Sequence, residues 1–329
     1  MRPETVLLTG ATGFVGTSLY PALVAAGYKV RCATRDPEAA ARRQPGRSFV
    51  HFDLADPESM RRALNGCQRA VYLIHGMASS EDYVEGERRG ALAFRMAAEE
   101  AGVERVVYLG GMRPRGPASR HLESRLRTGE ILRAGHTPTI ELQASMVIGP
   151  GSESFRMVRD LAARLPAMIL PAWSKTRTQP VAIADVVAAL VHALDEPREV
   201  TGAFALPGPE TLSAREILQR TARLLGHDPR MIGVPFVTPK LSAYWIRWIT
   251  RADPHIAEEL VQGLRIDILH QGPGYWVRMP DHHLTGFDQA VQGALSGEAR
   301  SVGLGGRALE RLIDRLSPKP SQRGAKRSL

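Results

Sequence analysis

Cysteine is nearly missing: Cys32 and Cys67 are the two in 329 residues. So few thiols exclude a disulfide-stapled fold and point to a reduced compartment, and neither has partners at a metal-ligand spacing. Both read as structural. Long apolar runs are missing too, so no stretch spans a bilayer. The first apolar strand begins four residues after the start, which leaves no room for a secretory leader. A cytoplasmic protein without an integral membrane segment is expected. No internal repeat is present. His282-His283 has no third ligand at a familiar spacing, and adjacent histidines point in different directions, so no metal is expected.

Acidic residues are outnumbered, 34 Asp and Glu against 43 Lys and Arg, for a net charge of +9. Four of those nine charges, Lys319, Arg323, Lys326 and Arg327, lie among Pro, Ser and Gly in residues 317–329, the composition of a disordered basic tail. It lacks aromatic interleaving and any nucleic-acid-binding motif, so no nucleic-acid partner is expected. The remaining excess suits an anionic small molecule.

What is present begins at once. The apolar run Thr5 to Thr9 leads into Gly10-Ala11-Thr12-Gly13-Phe14-Val15-Gly16 and then a helix carrying Leu19, Leu23 and Val24. A strand that turns directly into a helix aims unpaired N–H groups and the positive end of a helix dipole at one spot, and a diphosphate fits there. Gly10 allows the turn, Gly13 lets an anion reach the main chain, and Gly16 lets the helix lie close on the strand. With strand, turn and helix in this order, a dinucleotide is the expected ligand.

The tip of the next strand selects the nucleotide. Lys29 to Ala33 runs into Thr34-Arg35-Asp36-Pro37. An acidic residue there would accept from the 2′-OH of NAD, whereas an arginine pairs with the 2′-phosphate of NADP. Arg35 argues for NADP(H), with Thr34 as a second donor; Asp36 tempers the reading, and Pro37 turns the chain away. A third strand, Ser48 to Phe52, ends in Asp53-Leu54-Ala55-Asp56. Asp53 is placed either to accept from the adenine amino group or to cap the helix beginning near Pro57.

These motifs resemble the atypical NAD(P)H-binding branch of the short-chain dehydrogenase/reductase superfamily, and most closely its NmrA-like and YbjT-like epimerase relatives. The segments Ala70 to Met77, Arg105 to Met112, Glu141 to Pro150 and Thr178 to Val186 are similar to that group's later strand ends, and the likeness extends over Val234 to Trp245. The resemblance implies contacts of the cofactor with Ile74, His75 and Gly76, with Gly110 and Gly111, and with the main chain of Ala144, Ser145 and Met146. His75 reads equally well as a histidine satisfied by a backbone carbonyl. Gln179 is a further lining residue.

Short β-like runs alternate with helical stretches: the three above, then Ala70 to Ile74, Arg105 to Leu109, Thr139 to Ser145 and Ala203 to Leu206, with helices over Arg88 to Glu100 and Ile183 to Leu194. The expected fold class is α/β, a Rossmann-type doubly wound parallel sheet with a smaller interleaved lobe. Residues 1–151, completed by 177–208, form the NADP-binding domain, and residues 152–176 and 209–316 form the substrate lobe. Such a chain buries roughly three quarters of its unfolded surface. Tyr244 to Ile249 is a helical face rich in aromatics, read as packing of the lobe, a substrate cap or a membrane-surface contact. The oligomeric state, monomer or homodimer, is not specified.

The catalytic pattern that the resemblance implies is broken. Active members carry a Ser at the end of the fifth strand, a Tyr-x-x-x-Lys pair on the next helix and an Asn on the helix before. Here the strand ends Leu109-Gly110-Gly111, His121 and Arg125 take the paired positions at i, i+4, and Ala93 stands at the Asn position. Three readings compete. His121 is the general acid and Arg125 holds the nicotinamide ribose; or hydride transfer to a carbonyl, enone or quinone of a small apolar molecule proceeds with little acid help; or the protein binds NADP(H) as a redox sensor or regulator without turnover. Arg125 positions and polarises but cannot shuttle protons.

Overall fold

The computed structural model describes residues 4–74, 83–164, 167–226, 228–234 and 266–301. Seven parallel strands form the main sheet: β1 (Thr5–Leu8), β2 (Lys29–Thr34), β3 (Ser48–His51), β4 (Arg69–Tyr72), β5 (Arg105–Gly111) and β6 (Thr139–Ala144), with the eleventh strand of the chain at the far edge. Between β1 and β6 lie α1 (Phe14–Ala25), α2 (Pro37–Arg43), α3 (Pro57–Leu64), α4 (Tyr83–Glu100) and α5 (Arg120–Arg133). Then follow β7 (Val147–Ile148), α6 (Glu153–Arg164), β8 (Ala167–Pro171), β9 (Arg177–Thr178), β10 (Val181–Ala182), α7 (Ile183–Asp195), β11 (Gly202–Leu206), β12 (Leu212–Ser213), α8 (Ala214–Leu224), β13 (Arg230–Val234) and α9 (Phe287–Ser301). Strand order across the sheet is β11-β6-β5-β4-β1-β2-β3. The chain winds outward from β1 to β3, jumps back to β4 beside β1 and winds the other way, so the order reverses between β1 and β4. A doubly wound sheet opens its ligand crevice at the carboxyl ends of such a pair.

Both faces of the sheet are covered, which is why its strands read as continuous apolar runs rather than as alternating ones. Val6, Leu8, Cys32, Val107 and Leu142 meet Leu19 and Leu23 of α1 and Val186 and Leu190 of α7. Leu7, Ala33, Tyr72 and Tyr108 meet Met60 of α3, Phe94 of α4 and Leu132 of α5. Each fully buried Leu is worth roughly 1.5–3 kcal/mol. Cys32 and Cys67 are buried in these layers, and burial pushes the Cys32 thiol up to about 11. Every expected strand and both expected helices are present, with ends shifted by one or two residues, save that the α4 helix starts five residues earlier.

A separate apolar cluster joins Phe155 of α6, Ile217 of α8, and Phe287 and Val291 of α9 to Ile148 and Ala182. The short strands β8, β12 and β13 lie outside the runs read from the sequence.

Residues 274–285 reach back to the sheet region. A single helical turn, Gly274–Arg278, buries Tyr275 and Trp276 against α7 and the edge strand β11. The Trp276 indole N–H donates to the Pro207 carbonyl at 2.8 Å. The Tyr275 hydroxyl lies 3.0 Å from His192 Nδ1 and 3.2 Å from Glu196 Oε1. Arg278 forks onto the Glu196 carboxylate, with Nη2 to Oε2 at 2.8 Å. The buried Asp185 accepts from His282 Nε2 at 3.0 Å and from the Thr285 N–H at 3.0 Å, which occupies the first histidine of the His282-His283 pair. Apolar rings at an open sheet edge need a burying face, and β11 supplies one.

The Arg278 fork holds the Glu196 carboxyl below the usual carboxylate range. A depressed carboxyl contributes stability above its unfolded value, near about 4.3, and loses it as pH falls through the folded one. The melting-temperature gap between the wild type and Glu196→Gln is therefore expected to stay constant above about pH 5 and to narrow below about pH 4. A gap that ignores pH would remove the ion pair from the account.

Candidate functional site

The site grows from the strand ends that meet at the reversal of the sheet. β1 stops at Leu8, beside Val71 of β4. Thr9 follows, fully buried; its hydroxyl donates to the Val71 carbonyl at 3.1 Å and accepts from the Leu73 N–H at 2.9 Å. Thr9 is a candidate cofactor contact with the turn that follows it, and its side chain stitches β1 to β4. Gly10 then turns with φ +61°, and a Cβ there would stand 3.0 Å from the Leu73 carbonyl oxygen. Both the left-handed backbone and the close strand require glycine.

Gly16 sits inside the first turn of α1, where a Cβ would meet the Gly10 carbonyl oxygen at 2.2 Å. The helix start thus lies almost on the strand end. Thr12 and Gly13 are exposed above it, and Phe14 and Val15 are half-buried. The Phe14 ring reaches the loop after β7, where a Cβ on Gly149 would stand 3.0 Å from its Cε2. α2, α3, α5 and α8 each begin on an Asp or Ser whose side chain accepts a first-turn N–H. α1 begins on Gly13 and α7 on Ala182, neither of which offers such an acceptor, so the opening N–H groups of α1, beside the reversal of the sheet, have no side-chain cap. An anion is the group that fits them.

At the tip of β2, the Asp36 carboxylate caps α2 by accepting from the Ala39 N–H at 2.9 Å. The acidic residue that tempered the nucleotide reading is thereby committed to a helix. Thr34 is half-buried and Arg35 exposed, and among the described residues nothing pairs with the Arg35 guanidinium. His51, the last residue of β3, places Nδ1 3.0 Å from the Arg35 carbonyl oxygen. Of the two readings of Asp53, the capping one falls: Asp56 caps α3 through the N–H groups of Glu58 and Ser59. Asp53 closes a small turn onto the Ala55 N–H at 2.9 Å, and Leu54 packs on Gly90 of α4. Ile74 is half-buried beside the α3 and α4 layer. His75 and Gly76, like Met77 and the aromatic face Tyr244 to Ile249, lie outside the described residues.

The end of β5 explains the missing serine. A Cβ on Gly110 would stand 2.6 Å from Glu141 Oε1, and one on Gly111 would stand 2.3 Å from Leu122 Cδ1. Glu141 is fully buried on β6, with Oε2 accepting from Arg133 Nε at 2.8 Å and Oε1 from Gln143 Nε2 at 3.0 Å. Its carboxylate fills the space over Gly110 and Gly129. Glu141 escaped the sequence reading; its one signal is a carboxylate inside an otherwise apolar strand.

His121 and Arg125 share one face of α5, as the spacing predicts. Arg125 Nη2 donates to the Leu109 carbonyl at 3.1 Å, and its Nε is buried without a hydrogen-bond partner among the described residues. The Tyr108 hydroxyl donates to the Arg125 carbonyl at 2.9 Å and fixes this turn of α5 on the strand. The His121 imidazole is lowered to about 4, by burial first and then by the Arg125 cation beside it. Burial and the neighbouring cation both work against the imidazolium that the first of the three readings, His121 as general acid, requires near neutrality.

At the end of β6, Ala144 is buried and its carbonyl accepts from the Met112 N–H at 3.0 Å, while the Met146 carbonyl accepts from the Val181 N–H at 2.9 Å. The Ser145 hydroxyl donates to the Gln179 carbonyl at 2.7 Å. The Gln179 amide, expected to line the site, is instead committed to the main chain of His270, with Oε1 accepting at 2.7 Å and Nε2 donating at 3.3 Å. No helix among the described residues is long and apolar enough to cross a membrane.

The model of the NmrA-like family matches residues 2–242. The ceramide reductase of Caulobacter vibrioides is 30% identical over 239 residues, 70% of this chain and 73% of that protein. The (4-alkanoyl-5-oxo-2,5-dihydrofuran-3-yl)methyl phosphate reductase of Streptomyces griseus is 30% identical over 268 residues, 78% of this chain and 85% of that protein. Among solved structures, the Citrobacter sp. triphenylmethane reductase complexed with NADP(H) aligns with a TM-score of 0.67 and 15% identity, over 88% of this chain and 99% of that chain.

An NMR titration of the His121 ring is expected to give a midpoint near 4. A midpoint at the ordinary value of about 6.5 would return the imidazolium donor to the mechanism.

Proposed function

The chain belongs to the NmrA-like family, and on that footing we propose that it is an NADP(H)-dependent oxidoreductase reducing the carbonyl, enone or quinone of a small apolar molecule. The observation that carries the reading is the opening of α1: a helix start without a side-chain acceptor, pressed onto the strand end by Gly10 and Gly16, at the point where strand order reverses. Two curated relatives, each 30% identical, are reductases by name, which supports the reaction class.

In this reading the N–H groups of Thr12 to Gly16 hold the diphosphate, Arg35 and Thr34 hold the 2′-phosphate, and Asp53 accepts from the adenine. The nicotinamide half lies over Gly110, Gly111 and Ser145. When bound, the cofactor supplies a hydride. Arg125 does the polar work of this chain at that end, since its guanidinium is anchored to the Leu109 carbonyl and keeps one buried N–H unspent. It orients a ribose hydroxyl or polarises the substrate oxygen, and it moves no proton, because a guanidinium does not deprotonate. His121 donates a hydrogen bond as a neutral ring. Solvent then protonates the reduced product, which suits enones and quinones better than simple ketones.

A second reading, an NADP(H)-binding regulator without turnover, draws on the same replacements. The space of the family's serine is filled by Glu141, and the ring in the tyrosine's place is neutral. Mixing the protein with NADPH and a panel of quinones, enones and aldehydes separates the two. Cofactor consumption above buffer is expected; none across the panel would favour the regulator. Substituting Phe for His121 is expected to leave that turnover within about threefold, the scale of one neutral hydrogen bond.

Arg35→Ala is expected to weaken NADPH binding by about 1.5–3 kcal/mol and to leave NADH nearly unchanged, as loss of one charge-assisted hydrogen bond requires. Equal weakening of both nucleotides, measured by calorimetry, would contradict the phosphate contact.

A further inference from the structure

β2 and β3 end side by side in parallel register, with Thr34 opposite His51. Arg35 follows, exposed and without a partner for its guanidinium among the described residues. The exposed His51 ring is tied to the main chain of that same residue, Nδ1 to the Arg35 carbonyl oxygen at 3.0 Å. A carbonyl only accepts, so Nδ1 carries the hydrogen, and Nε2 is the nitrogen that takes up a proton on acidification. An imidazole, which can gain a proton, thus sits beside the main chain of a residue with a permanent cation.

The other charges on the elements packed against β3 are mostly engaged. Arg31 of β2 donates to the carbonyls of Ala63 and Asn65, each at 2.7 Å. Asp36 caps α2, and on that helix Arg42 pairs with Glu38 at 3.8 Å. On α3, Arg61 pairs with Glu58 at 2.7 Å and Arg62 with Asp56 at 3.8 Å, while Asp53 accepts from its own turn. Arg43, in the last turn of α2, and Lys29, at the start of β2, are the exposed cations of these elements without an ion pair among the described residues.

We infer that protonated His51 is a second ligand, with Arg35, of the 2′-phosphate of NADP(H), and that the preference for NADP(H) over NAD(H) is therefore set by pH. The inference rests on the NADP(H) reading above and adds a residue and a regulation to it. A dianion held between two cations stabilises the imidazolium, so binding of the phosphate favours proton uptake by the ring. A raised basic group contributes affinity that is complete below the free value and is lost as pH rises through the bound one. The phosphate itself loses its second proton near about 6, so above about pH 7 it stays a dianion and His51 is the group left to titrate. NADH lacks the 2′-phosphate and serves as the control.

Calorimetric titration of the full chain with NADPH and NADH between about pH 7 and about pH 8.5, at constant ionic strength, tests this. The wild-type ratio of NADPH to NADH affinity is expected to fall about three- to tenfold across that range, with proton uptake on NADPH binding seen as a dependence of the heat on buffer ionisation. In His51→Asn, whose amide N–H can keep the bond to the Arg35 carbonyl but cannot become charged, the ratio is expected to be flat, close to the wild-type value at the alkaline end, and free of proton uptake. Unchanged NADH affinity reports an intact site in the variant. A flat wild-type ratio without proton uptake overturns the inference, as does a pH dependence that survives in His51→Asn. If the variant does not fold, wild-type proton uptake decides. NADPH that never outbinds NADH at any pH would instead sink the NADP(H) reading, and the role of His51 with it.

Discussion

The distance between the start of α1 and the end of β1 governs the rest of the site. Gly16 and the Gly10 carbonyl approach so closely that a single added carbon would stand 2.2 Å from the oxygen. That approach brings the opening N–H groups of α1 down to the level of the sheet, beside the crevice that the strand order creates. Thr9 completes the arrangement from below, because its hydroxyl joins β1 to the end of β4 through two hydrogen bonds. A helix whose N-terminus stood higher, or whose first turn carried its own Asp or Ser cap, would leave no bare donors at the reversal point.

At the opposite end of the crevice, space is filled rather than opened. Gly110 and Gly111 make room for the Glu141 carboxylate and the Leu122 side chain, so the strand end that carries a serine in the family pattern carries packing here. The polar character of this end is concentrated in Arg125, whose anchor to the Leu109 carbonyl aims a fixed cation along the strand ends. The same cation, together with burial, lowers the His121 imidazole. Two residues at the expected spacing thus oppose each other's charge.

The C-terminal return ties the second apolar cluster to the nucleotide side. Asp185, at the first turn of α7, gathers His282 and Thr285; Glu196, just beyond the helix, gathers Tyr275 and Arg278. Gln179 clamps the main chain of His270 beside the end of β6. Side chains in the sheet region thus hold a segment 79 to 100 residues away in sequence.

The sequence by itself determined the layers, the strand succession and the nucleotide turn, because these follow from local properties: apolar periodicity, Pro and Gly punctuation, and a glycine spacing that only a strand-to-helix turn satisfies. Arg35 was legible for the same reason, since strand tips are local. Only tertiary structure decided that Asp36 and Asp56 cap helices while Arg35 stays free, that Glu141 occupies the serine's space, that His51 touches the Arg35 main chain, and that Tyr275 and Trp276 pack against the sheet. Each of these depends on which distant groups share a few ångströms. The protonation of His121 belongs with them, because desolvation and a neighbouring charge are properties of the packed surroundings and not of the residue's place in the chain.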